Sequence, residues 1–153
     1  MQNDVLMNTV IDVFEKQAFA FVDVCSKDEL ENNSDSHFYT HITFSGPVNG
    51  KVGMAIPIHL GEELATSILG IEPGELVNQT DVADALKELL NVTCGQFLTA
   101  SYGNKPVFHL DIPDCAIQDP SHWQTLCEHS DTIGFVIENT SALAHVFLKE
   151  NTL

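Results

Sequence analysis

Four residues stand at helical intervals in the run ADALKELLNVTCGQFLTA: Asp84, Glu88, Asn91 and Gly95. At 100° per residue they fall within about 60° of one another on the helical wheel. Leu86, Leu89, Leu90, Thr93 and Phe97 cluster on the opposite side. Such a helix buries one apolar stripe and presents an acid, a second acid, an amide and a bare backbone on the other. Asn costs a helix several tenths of a kcal/mol relative to Ala, and Gly roughly 1 kcal/mol. Two unfavourable residues on one exposed stripe point to something that comes close there. A merely solvated polar face is the competing reading.

The elements that position this stripe follow from periodicity. Residues 4–24 repeat apolar side chains at three- and four-residue intervals, which predicts an amphipathic helix. Residues 26–36 are polar and turn-rich, and read as a loop. From Phe38 the period is two: Phe38, Thr40, Ile42 and Phe44, then Val52, Met54, Ile56 and Ile58. This predicts a hairpin with one buried face. A two-residue Asn49-Gly50 loop would set the two apolar rows on opposite faces. The expected loop is therefore Val48, Asn49 and Gly50, with Gly50 left-handed, Phe44 opposite Met54 and Ile42 opposite Ile56.

A short helix is expected from Gly61 to Leu69, stopping at Gly70. The stripe-bearing helix is expected from about Thr80 to Tyr102, capped by Thr80 or Asp81 and stopped by Gly103-Asn104. VFHLDIP after Pro106 reads as extended. The tail from Trp123 to Glu150 reads as up to three strands, ending with residues 142–149. The predicted class is α+β: a single domain over residues 1–153, with a mostly antiparallel sheet and helices packed on one face.

Composition narrows the function. The 153 residues are 44% hydrophobic and 18% charged, a globular balance for one domain. With 22 Asp and Glu against 6 Lys and Arg, the formal net charge is −16. That field repels phosphate backbones and anionic lipid headgroups, so neither nucleic acid nor a membrane surface is an expected partner. The start MQNDVLMNTVIDVFEKQ has no cationic n-region and no unbroken apolar run, so a signal peptide is not expected. Cys25, Cys94, Cys115 and Cys127 form no CxxC and suit reduced thiols in a cytoplasmic protein.

The run Asp84-x3-Glu88-x2-Asn91, followed by Thr93-Cys94-Gly95-Gln96 and then Pro113, resembles the signature of the CheC/CheX chemotaxis phosphatases. Pro113 falls one residue short of that family's spacing. An N-terminal helix, a glycine-containing hairpin over residues 45–53, a short helix, the motif helix and closing strands extend the likeness over nearly the whole chain. The first helix offers Asp12, Glu15 and Ala18 but no Glu-x2-Asn, so the single site is similar to CheX.

The resemblance implies hydrolysis of the aspartyl phosphate on a phosphorylated CheY-type response regulator. That bond is a mixed anhydride, already activated, so the enzyme need only hold a water in line. An amide donates and accepts hydrogen bonds and stays neutral beside a phosphoryl anion. The implied roles are Asn91 orienting the water and Glu88 pairing with a regulator lysine. Asp84 and Gly95 are implied partner-contact positions. No cofactor is implied on this chain, Mg2+ being expected on the regulator, and a homodimer joined at sheet edges is implied. The rivals are a non-catalytic module that docks a regulator or flagellar-switch protein, and a small-ligand sensor or scaffold domain.

Other candidates are weaker. The histidines show no HExxH and no zinc spacing; His37 and His41 share a strand face, as ordinary strand histidines do. His109 near Asp111, and Cys127 with Glu128-His129, lack a third partner. Cys94 reads as a small buried residue, Trp123 as a core residue opening a strand, and Ser67, Ser101 and Ser121 lie in no nucleophile elbow.

Overall fold

The computed structural model describes residues 2–26, 30, 35–72, 75 and 78–149. Helix α1, Gln2–Ala18, buries Leu6, Val10, Val13 and Phe14 at the expected spacing. It is shorter than its apolar pattern. Phe19 turns left-handed (φ 54°) and the Ala20 N–H donates to the Phe14 carbonyl at 3.1 Å, closing the helix. Strand β1, Val22–Cys25, then occupies the positions expected to be the last turn of that helix. Most of the expected 26–36 loop lies outside the described residues.

Strands β2, His37–Ser45, and β3, Asn49–Pro57, form the predicted hairpin in a different register. Phe44 faces Gly50, Ile42 faces Val52 and Phe38 faces Ile56, so the loop is Gly46, Pro47 and Val48. The displacement is an even number of residues, which leaves every apolar side chain on its expected face; alternation cannot distinguish the two registers. Packing can. A Cβ at residue 50 would lie 2.6 Å from the Phe44 ring, so Gly50 serves as the floor beneath that ring and not as the turn residue.

Helix α2, Ile58–Leu69, leaves β3 directly, taking Ile58 out of the strand, and ends at left-handed Gly70. Helix α3, Gln79–Tyr102, is capped by Asn78, whose side chain accepts from the Asp81 N–H at 2.8 Å. The cap is thus two or three residues earlier than expected. Gly103 ends the helix as predicted.

Strands β4, His109–Leu110, and β5, Asp114–Gln118, both pair with β2. The next segment corrects the sequence reading. Residues Pro120–Glu128 form helix α4, because Asp119 accepts from the Ser121 and His122 N–H groups and Pro120 opens the first turn. The tail therefore contributes two strands, β6 (Thr132–Ile137) and β7 (Thr140–Lys149), joined through left-handed Glu138 and Asn139.

The sheet order is β1-β6-β7-β3-β2, with β4 and β5 along the outer side of β2, and every pairing is antiparallel. The α+β class holds. Helices α1, α2 and α3 share one core with Phe38, Ile42, Met54 and Phe135. Helix α4 covers the reverse face, where Trp123 and Leu126 meet Tyr39, Ala55 and Leu143. Trp123 is a core residue as expected, but of a helix.

That reverse face also buries His37 and His145. Tyr39 Oη and His145 Nε2 are 2.7 Å apart, and His37 Nε2 and His122 Nδ1 are 2.8 Å apart. Gly53 lies under this network; a Cβ there would collide with the His145 ring and stand 2.9 Å from the Tyr39 hydroxyl. Gly53→Ala is expected to lower stability by about 1–3 kcal/mol, read as a lower urea midpoint at an unchanged slope.

Candidate functional site

The site is one face of α3. Nine of its residues are buried, among them Leu86, Leu89, Leu90 and Phe97, and these fix the rotation of the helix about its axis. Asp84, Glu88 and Asn91 are consequently exposed, with Gly95 half-exposed on the same stripe. All four predicted site residues are brought together by a single element.

Asp84 is engaged by Lys87 at 3.3 Å, a residue that carries no signal in the sequence beyond its spacing. The Glu88 and Asn91 side chains have no hydrogen-bond or ion-pair partner among the described residues. They lie three residues apart, a rise of about 4.5 Å along the axis. A Cβ at Gly95 would meet nothing within 4 Å, so no group of the described chain requires glycine there. Cys94, on the inner side, is fully buried and its thiol is pushed up to about 12 by that burial, fitting a packing residue.

Two clefts separate α3 from the sheet edge. Asp84 and Lys87 line one with Cys115 and Ile117. Gly95 and Leu98 line the other with Phe108 and Leu110. Pro113 lies on the edge between these cleft walls, half-buried, which places it along the same side of α3 as the stripe. Burial against the helix also raises the Cys115 thiol to about 11.

The remaining candidates fall elsewhere. Half-buried His41 on β2 lies 3.7 Å from exposed Asp114 on the edge, and His109 lies 3.4 Å from Asp111 as an exposed pair. No three His, Cys, Asp or Glu side chains converge as a metal site among the described residues. No described helix is long and apolar enough to cross a membrane.

Comparison with known proteins agrees with this architecture. The CheX of Desulfovibrio desulfuricans superposes with a TM-score of 0.72 at 14% identity, over 97% of this chain and 99% of that one. The CheX of a CheX-CheY-BeF3-Mg complex from Borrelia burgdorferi gives 0.69 at 15% identity, over 96% and 97%. Thermotoga maritima FliY gives 0.61 at 12% identity, over 95% and 85%. These likenesses establish a shared fold. No curated protein matches the sequence. The family model described as chemotaxis phosphatase CheX matches residues 38–128, which include the whole of α3 and the adjoining edge. The chain belongs to the CheX family.

Proposed function

We propose that this protein hydrolyses the aspartyl phosphate of a phosphorylated CheY-type response regulator. The observation that carries the reading is the Glu88–Asn91 pair: two exposed polar side chains, one turn apart, on a helix whose other face is core. In this reading α3 lies against the regulator's phosphorylation site. Asn91 holds a water in line with the leaving carboxylate, donating to or accepting from it without adding charge. Glu88 pairs with a regulator lysine and sets the register of docking. Asp84, steadied by Lys87, borders the contact, and Gly95 lets the partner approach the helix backbone. Mg2+ belongs to the regulator, and the site of action is the cytoplasm, where such regulators signal.

The test is decay of a phosphorylated CheY-type regulator with and without this protein. Acceleration is the expected result. Binding without acceleration would make the protein a docking module, and neither would overturn the reading. Glu88→Ala is expected to raise KM about tenfold, because it removes one charge-assisted contact.

The reading includes a homodimer joined at a sheet edge. β6 and β7, which end the chain, lie inside the sheet, leaving β1 and the β4–β5 line as its outer strands among the described residues. A monomer by sedimentation at micromolar concentration would remove this part.

A further inference from the structure

The sheet edge beside α3 is irregular at one point. β2 pairs Phe44 with Leu110 on β4, and resumes by pairing His41 with Asp114 on β5. Two residues of β2, Ile42 and Thr43, therefore oppose three on the edge: Asp111, Ile112 and Pro113. This is a β-bulge, a device that re-aims a side chain. It is pinned on both sides. The Asp111 N–H donates to the Thr43 carbonyl at 3.0 Å, and the Thr43 hydroxyl donates to the Asp111 carboxylate. The Thr40 hydroxyl donates to the Asp114 carbonyl at 2.9 Å. Pro113 further limits the backbone. The side chain turned out is Ile112, 91% exposed, the most exposed large apolar residue of those described.

Its level along α3 follows from the two clefts. One joins Asp84 and Lys87 to residues 115–117, and the other joins Gly95 and Leu98 to Phe108 and Leu110. Helix and edge thus run in opposite directions, and the bulge at 111–113 lies beside the middle of the interval, where Glu88 and Asn91 stand. Ala83 and Lys87 of the first cleft lie on the Asn91 side of the stripe, whereas Leu98 and Thr99 of the second straddle it.

We infer that the Ile112 bulge is an apolar anchor that grips the phosphorylated regulator next to the reacting phosphoryl group, an inference that rests on the function proposed above. An isoleucine held by a hydrogen-bonded bulge has little backbone freedom left to lose on docking, so burial of its side chain appears as affinity. Asp111 and Asp114, both exposed, flank it in the chain, and Asp84 on the helix lines the adjoining cleft. An apolar point within an acidic rim fits a regulator surface that offers a small apolar hollow among lysines, the pattern of a buried anchor with a charged surround.

The experiment compares wild type with Ile112→Val, Ile112→Ser and Ile112→Asp. Two quantities are read: affinity for beryllofluoride-activated CheY-type regulator, and KM and kcat for decay of the phosphorylated form. Ile112→Ser is expected to raise Kd and KM about tenfold. Ile112→Asp should raise them further, while Ile112→Val stays near wild type. Throughout, kcat should stay within about twofold and the melting temperature unchanged, since the side chain is almost wholly in solvent. Unchanged Kd and KM in Ile112→Asp, with an active wild type, would overturn the anchor alone. So would a change in sedimentation with regulator affinity intact, which would assign the bulge to a second copy of the chain. A wild type that neither binds nor accelerates overturns the proposed function, and the anchor with it.

Discussion

Asn91→Ala is expected to cut the acceleration of regulator dephosphorylation about a hundredfold while regulator binding stays within about threefold. The size is that of removing one preorganised hydrogen-bonding group from a reaction whose catalysis is mostly placement. The substitution leaves the fold intact: Asn91 is exposed and Ala favours helix over Asn, so the melting temperature should hold or rise slightly. Asn91→Asp separates two accounts of the amide. If neutrality matters, the new carboxylate stands beside the phosphoryl anion, so both turnover and affinity fall. If only hydrogen-bond acceptance matters, Asp retains turnover. Full activity in Asn91→Ala would dismiss Asn91 as the water-holding group and shift attention to the regulator's own residues.

The second large effect is on acid stability. His37 and His145 are buried at 0% and 1% exposure on the α4 side of the sheet. Burial foremost, with the neighbouring His122, lowers His37 to about 4 against the pull of Asp119. Burial, with Lys51, His129, His41 and His122 adding repulsion, lowers His145 to about 3. An unfolded histidine takes its proton near 6.5, so the unfolded chain binds more protons as pH falls below that value. The stability these neutral rings confer is whole above pH 6.5 and is lost as pH falls from 6.5 toward 4. Each ring contributes about 1.4 kcal/mol per pH unit, so the pair costs about 4 kcal/mol by pH 5, a large part of an ordinary domain's stability. Urea midpoints measured at pH 7, 6 and 5 should fall steadily. A His145→Asn variant, less stable at neutral pH, should show about half the slope. A flat midpoint would mean that the rings are not held neutral in the fold.

The helix stripe that carries the candidate site is more legible in the sequence than the fold around it. α3 carries its own instructions: the leucine stripe sets which face is buried, and Gly103 marks the end. Nothing distant is needed to put Glu88 beside Asn91. Sequence pattern and structure part where a long-range contact decides. Phe19 ends α1 left-handed without being glycine, so the apolar rhythm runs on past the true end. The hairpin register turns on the Phe44 ring lying over Gly50, which alternation does not encode. α4 has a local signal, Asp119 as cap with Pro120 after it, but apolar Trp123 and Leu126 suit a strand equally well until the second covered face of the sheet is known. The bulge at 111–113 exists only through pairing with β2 and hydrogen bonds from Thr40 and Thr43, and no local pattern announces it.

That Glu88 and Asn91 stand on one unbroken helix has a consequence for how such a chain can vary by insertion and deletion. One residue added between them would swing Asn91 by about 100° and displace it from the stripe. The same event would rotate Thr93, Cys94 and Phe97 out of register with the core they fill. Length changes in the connections on either side of α3 disturb neither relation. Keeping the two side chains on one face therefore requires residues 88–97 to be copied without insertion or deletion, whereas the flanking connections are open to lengthen or shorten. The spacing of the two site residues and the packing of the domain are inherited as one character.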